Sequence, residues 1–202
     1  MLSFNDVAGL IADTENLPGA LVPTILRRVR MLAAKDLIPV HRESTGRQEG
    51  RLDEEGACRA RLASVLIDLG FDAETLRLVQ QTLNGVVDPM SGGNLRETKF
   101  ESAYSAAIGG EPVVCCLNLW LNLRTGKKHI GVSFPGSDSK EPGTPIRLKS
   151  GQRLIFGSPQ QPQAVRSEKV DRALAHVVTQ ATVTIPLGDL WQPIHTHFQA
   201  MG

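Results

Sequence analysis

Long apolar runs are missing from this 202-residue chain. No stretch approaches the roughly eighteen consecutive apolar residues of a membrane-spanning helix, so no transmembrane segment is expected. The opening stretch LSFNDVAGLIADTENLPG has no basic segment leading into an apolar core, and does not read as a signal peptide. Cysteine is scarce. Three residues, an odd number, cannot build a disulfide framework, which points to a reducing compartment and hence to the cytoplasm. Cys115 and Cys116 are adjacent in a strand-like run and must face opposite sides, so they read as small buried apolar groups rather than joint ligands. Net charge is nearly absent at +1, so the whole chain has no general attraction for polyanions.

Catalytic signatures are missing as well. There is no Gly-x-Ser-x-Gly and no His-Glu-x-x-His. Ser91-Gly92-Gly93 lacks the Lys-Ser/Thr partner of a phosphate-cradling loop, and no nucleophile is paired with a base. His195 and His197 would share one face of a strand, as a metal pair could. Two ligands do not complete a site, and Cys115, His129 or His176 would have to be brought in by the fold. Surface histidines are the simpler reading. The chain is therefore expected to be no enzyme and to hold no cofactor or metal; a small metal-dependent enzyme using His195 and His197 would need bound metal in the purified protein.

What the chain does have is a local charge bias. Residues 27–51 hold seven Lys/Arg against three Asp/Glu. They belong to the stretch VPTILRRVRMLAAKDLIPVHRESTGRQEGR (22–51). Pro23 suits the first turn of a helix, where its missing N–H costs nothing. Ile25, Leu26, Val29, Leu32 and Ala33 make its buried stripe, leaving Arg27, Arg28 and Arg30 largely off it. Pro39 stops the helix after Leu37 and Ile38. The polar segment 41–50, broken by Gly46 and Gly50, reads as a β-ribbon wing or loop carrying His41, Arg42, Arg47 and, just beyond it, Arg51. Arginine and lysine at such surfaces release counterions from DNA, and arginine reads guanine edges.

Helices are expected on both sides of this stretch. Phe4, Val7, Ala8, Leu10 and Ile11 form a first helix, and 13–20 with Pro18 and Gly19 a turn. Asp53, Glu54 and Glu55 load the start of a third helix, with Ala57 or Cys58, Leu62, Val65, Leu66 and Leu69 inward and Gly70 closing it. Asp72 caps a fourth helix through about Leu83, with Leu76, Val79 and Leu83 inward. The stretch 86–95 is rich in Pro, Gly and Ser and reads as a linker. A helix over 95–108 ends at Gly109-Gly110. Cys115, Leu117, Leu119, Leu121 and Leu123 alternate with polar positions, 125–128 turns, and Ile130, Val132 and Phe134 return, giving a hairpin. Trp120 falls on its polar side, to pack beneath a helix or line a pocket. Residues 135–145 and 158–163 read as loops, 153–156 as a strand, 167–179 as a helix, 181–187 as a strand, and Asp189 as the cap of a terminal turn before Pro193.

The segment VRMLAAKDLIP (29–39) resembles the MerR-type winged-helix pattern L-R-Y-Y-E-x-x-G-L-L-x-P. The segment GRLDEEGACRARLASVLIDLGFDAETLRLV (50–79) is similar to that family's G-Y-R-x-Y-x-x-x-D…L…G-F-S-L-x-E-I-x-x-L. Arg30 falls on the family's helix arginine, Arg51 on its wing arginine, and Gly70-Phe71 on its Gly-Phe turn. Met31, Leu32 and Asp53 stand where the family has tyrosines. The resemblance implies a winged helix-turn-helix whose second helix enters the major groove while the wing tracks the backbone, from a dimer.

The expected architecture is α+β: a mostly helical winged helix-turn-helix domain over 1–85, a linker over 86–95, and an α+β domain with a small antiparallel sheet over 96–202. The expected function is a sequence-specific, DNA-binding transcriptional regulator acting as a homodimer on double-stranded DNA. Thr24, Arg27, Arg28, Arg30, His41, Arg42, Arg47 and Arg51 are its candidate contacts. The C-terminal half would dimerise, sense a small-molecule effector or bind a protein partner. The competing class is a protein–protein adaptor or antirepressor whose winged helix does not bind DNA. It is favoured by the missing tyrosines and by the twelve Asp/Glu against ten Lys/Arg in residues 1–84.

Overall fold

A computed structural model of the protein describes residues 1–42, 50–86, 97–122, 128–134, 143–147, 153–156 and 177–201. The fold is α+β. In chain order it runs β1 (Leu2–Ser3), α1 (Phe4–Thr14), a 3₁₀ turn (Gly19–Leu21), α2 (Val22–Ala34), β2 (Arg51–Leu52), α3 (Glu54–Asp68), α4 (Ala73–Leu83) and α5 (Lys99–Ile108). It continues through β3 (Val114–Asn122), β4 (Lys128–Ser133), β5 (Gly143–Arg147), β6 (Arg153–Phe156), β7 (Val177–Pro186) and α6 (Leu187–Met201).

The helices start where short polar side chains can accept from orphan backbone N–H groups. Ser3 and Asp6 form a reciprocal capping box on α1, and Thr98 and Glu101 form another on α5. Asp53 accepts from Gly56 N–H at 2.8 Å, and Asp72 from Thr75 N–H at 2.8 Å. Four helices end in one shared motif, in which a residue with positive φ lets the chain double back on the last turn. It is Asn16 (φ 50°) after α1, Asp36 (φ 51°) after α2, Gly70 (φ 84°) after α3 and Gly110 (φ 85°) after α5. Leu37 N–H then bonds to Leu32 C=O at 2.9 Å and Phe71 N–H to Leu66 C=O at 3.0 Å. The α2 helix therefore stops at Ala34, before the expected limit at Pro39, and Leu37 and Ile38 are buried outside it.

Strand β3 lies at the centre of an antiparallel sheet ordered β4-β3-β7, while β5 pairs with β6 and β1 with β2. Cys115 and Leu117 are buried, and Cys116 and Asn118 on the other face are half-buried, as the alternation requires. Trp120, on the polar side of the alternation, is nevertheless buried. It is 6% exposed, its pairing with β7 shifts register at Leu119/Trp120, and its indole lies over Gly131, where any Cβ would collide with the ring.

Several elements differ from expectation. Leu69 is 54% exposed, because the chain has already turned at the end of α3. Val177 to Thr179 belong to β7 rather than a helix, and Gly143 to Pro145 to β5 rather than a loop; there, cross-strand pairing overrides local periodicity. The remainder of the expected helix over 167–179, the loop over 158–163, the residues 87–95 of the linker and positions 125–127 of the turn lie outside the described residues. The terminal turn is instead the 15-residue α6, with Pro193 inside it. A proline there costs a helix about 3 kcal/mol. The fully buried Leu187, Trp191 and Ile194 on one face offset that cost.

Helix α6 runs back from the sheet to pack on α3 and α5. Leu187 N–H bonds to Val113 C=O at 2.9 Å, Trp191 Nε1–H to Cys58 C=O at 3.1 Å, and Arg61 Nη1–H to Leu190 C=O at 2.9 Å. One hydrophobic core thus continues from Val7, Val29 and Leu62 through Phe100 to Leu117 and Trp191. Among the described residues, no helix is long and apolar enough to cross a membrane.

Candidate nucleic-acid interface

Helix α2 is apolar on one side only. Ile25, Val29, Leu32 and Ala33 are buried, Leu26 is half-buried, and Pro23, Thr24, Arg27, Arg30 and Ala34 are exposed. At 100° per residue, positions 23, 27, 30 and 34 lie on one outward strip, with Thr24 at its margin. Arg27 and Arg30, three residues apart, are neighbours on it.

Arg28 is not part of this strip. Its guanidinium grips the Asp68 carboxylate with two prongs, Nη1 to Oδ2 at 2.9 Å and Nη2 to Oδ1 at 2.8 Å. One position further around α2, it faces the C-terminal end of α3. Being partly exposed, the pair contributes little stability.

The loop after α2 is closed at its root. His41 and Arg51 exchange both backbone hydrogen bonds, each at 2.9 Å, and β2 then pairs with β1 in the register Leu2↔Leu52 and Ser3↔Arg51. Arg42 and Arg51 are exposed. Arg47 lies outside the described residues. The His41 ring is exposed and also meets a carboxylate. Its Nε2 sits 2.6 Å from Asp53 Oδ2, so the imidazole ties the loop root to the start of α3.

Four carboxylates at the two ends of α3 have side-chain partners. Asp53 caps α3 with Oδ1 and holds His41 with Oδ2. Glu54 meets Tyr104 and His195. Glu55 meets Arg59 at 2.6 Å, and Asp68 meets Arg28. Arg59 and Arg61 are themselves 3% and 4% exposed, so they add nothing to the surface potential; burial draws both guanidinium pKa values down.

Sequence reasoning missed Glu54, Tyr104 and His195 as a unit. His195 Nδ1 lies 2.8 Å from Glu54 Oε1 and 2.8 Å from the Tyr104 hydroxyl, and that hydroxyl donates to the same Glu54 oxygen. Burial, then the bond to Glu54, pushes the Tyr104 phenol far above its usual pKa, so it stays a donor. The strand reading of His195 and His197 hid this. On a helix, residues two apart face nearly opposite directions, and His197 is exposed while His195 is half-buried. The two cannot chelate one ion. Among the described residues, no group of three or more His, Cys, Asp or Glu is placed to hold a metal.

Set against family models, curated proteins and solved structures, the chain matches none of them.

Proposed function

We propose that the protein is a sequence-specific DNA-binding transcriptional regulator, with an N-terminal winged helix-turn-helix related to the MerR type. Helix α2 docks in the major groove and the loop between His41 and Arg51 lies along the backbone. One observation carries this reading: charge sorting. Arg27 and Arg30 are exposed on a single strip of α2, while the carboxylates of Asp53, Glu54, Glu55 and Asp68 are engaged by His41, Tyr104 with His195, Arg59 and Arg28. Exposed arginines on one strip gain counterion-release affinity, and their guanidinium groups can reach base edges. One short helix reads few base pairs, so two copies on a two-fold site double the reading. The C-terminal half then serves pairing, an effector or a protein partner.

The adaptor reading draws on two features. Arg28 is engaged away from the strip, and Asp53 occupies the place of a wing tyrosine, anchoring the loop root by polar bonds instead.

Selection of bound sequences from random DNA, followed by titration across a salt series, tests the proposal. Arg27→Ala and Arg30→Ala should each weaken the selected site by roughly tenfold, the scale of one lost arginine contact, with unfolding temperature unchanged. No recovered sequence and no salt slope would replace the regulator with the adaptor. Light scattering that finds only monomer at working concentration counts against the dimer.

A further inference from the structure

We infer that Tyr104 and His195 are positioning residues for the His41–Arg51 backbone pair beyond α2, setting it through Glu54 and the first turn of α3. The effect on binding rests on the DNA reading above; the mechanical link does not.

The link is short and made of named bonds. Glu54 is the first residue of α3, and Asp53 is its cap. From the C-terminal half, Tyr104 on α5 and His195 on α6 both converge on Glu54 Oε1. From the loop side, His41 Nε2 meets Asp53 Oδ2 at 2.6 Å, while Asp53 Oδ1 holds Gly56 N–H at 2.8 Å. His41 in turn carries Arg51 through two backbone bonds of 2.9 Å. Two adjacent side chains therefore grip the same helical turn from opposite partners. A helix N-terminus favours a carboxylate by its dipole alone, so a phenol and an imidazole on the same oxygen exceed what capping requires.

The grip is also stiff. Tyr104 stacks on Phe100 with centroids 5.6 Å apart and planes at 17°, and the His195 ring meets Tyr104 edge-on at 6.0 Å. Trp191, fully buried one turn before His195, is bonded to Cys58 C=O one turn along α3. A shift of α6 along α3 must drag Glu54, and Asp53 with it, because close-packed side chains do not deform continuously. A purely fold-holding role makes a different forecast: Tyr104 and His195 would alter stability without altering His41.

Two substitutions break the link and one restores it. Tyr104→Phe removes only the hydroxyl and keeps the ring stack. His195→Leu removes the nitrogen, and His195→Asn returns an amide N–H near the position of Nδ1. The first readout is the His41 ring resonances by NMR in the full chain without DNA. Tyr104→Phe and His195→Leu should shift them, and His195→Asn should return them toward wild type. The second is affinity for a random-sequence duplex at low salt. Each breaking variant should lower it by roughly 3- to 10-fold, within the range of mutations that act through coupled positions. A cycle with His41→Gln should be non-additive. Unmoved His41 resonances in the folded Tyr104→Phe protein overturn the proposal, as does strict additivity with His41→Gln. The resonances decide it even without binding, since absence of wild-type binding across the salt series removes the DNA reading alone.

Discussion

Arg27 and Arg30 on α2 are exposed to solvent, whereas Arg59 and Arg61 on α3 are 3% and 4% exposed. The residue type and the close spacing are shared; the neighbourhood is not. Helix α2 packs against α1 and α3 and keeps one side in water. Helix α3 is packed against by α2, α4 and α6, and is buried almost all round from Gly56 to Ser64. A guanidinium taken from water needs partners. Arg59 finds Glu55 at 2.6 Å, Gln80 Oε1 at 3.0 Å and the Phe100 ring at 4.6 Å. Arg61 finds Leu190 C=O at 2.9 Å and Glu15 at 3.7 Å. The lesson is that Arg59 and Arg61 on α3 are drawn into the core that links the helices, while Arg27 and Arg30 on α2 stay at the solvent-exposed surface.

That contrast can be broken from the buried side first. Trp191→Ala, which removes the fully buried ring joining α6 to α3, should cost about 3–5 kcal/mol in urea unfolding. A loss below about 1 kcal/mol would mean that α6 is not held on α3 in solution. Arg59→Ala should cost roughly 2–3 kcal/mol, less than a fully buried ion pair because Glu55 stays partly in water. An unaffected midpoint would erase the distinction between the two helices.

The exposed side gives smaller effects. The Ser3 hydroxyl and backbone N–H hold the Asp6 carboxyl below its usual range at the start of α1, the helix that supports α2. A folded pKa below the unfolded one adds stability that is present above the unfolded value near about 4 and is lost as pH falls through the folded value. Asp6→Ala should therefore cost about 0.5–1 kcal/mol at neutral pH, with the gap closing in acid; a gap that persists under full protonation would remove the capping box as its cause. Smallest of all, Arg28→Ala should change stability by less than about 0.5 kcal/mol. It should also weaken duplex binding less than Arg27→Ala does, and an equal loss would return Arg28 to the interface.

Much of the helical half was legible locally. Asp72 caps the helix it was expected to cap, Asp53 with Glu54 and Glu55 lies at the start of α3 as expected, and Leu76, Val79 and Leu83 are buried as their spacing requires. Gly70 ends α3 with a positive φ, but Asn16 and Asp36 do the same job without glycine, which hid the early end of α2. Of the candidate contacts, Thr24, Arg27, Arg30, Arg42 and Arg51 are exposed, while Arg28 and His41 are tied to carboxylates. Nothing in the spacing of H-x-H distinguished strand from helix, and Pro193 argued for the wrong choice. The burial of Leu187, Trp191 and Ile194 made that region helical.

The amino-acid sequence alone determined the order and type of most N-terminal elements, because a cap or an apolar stripe acts within a turn or two of the chain. It also determined that cations gather near α2. Only the tertiary structure decided which charges stay at the surface. Arg28 meets a carboxylate 40 residues away, Tyr104 one 50 residues away, and His195 one 141 residues away. Such pairs depend on which faces of which helices come together, and that is settled by the burial of the whole apolar surface at once, not by any stretch of residues read on its own.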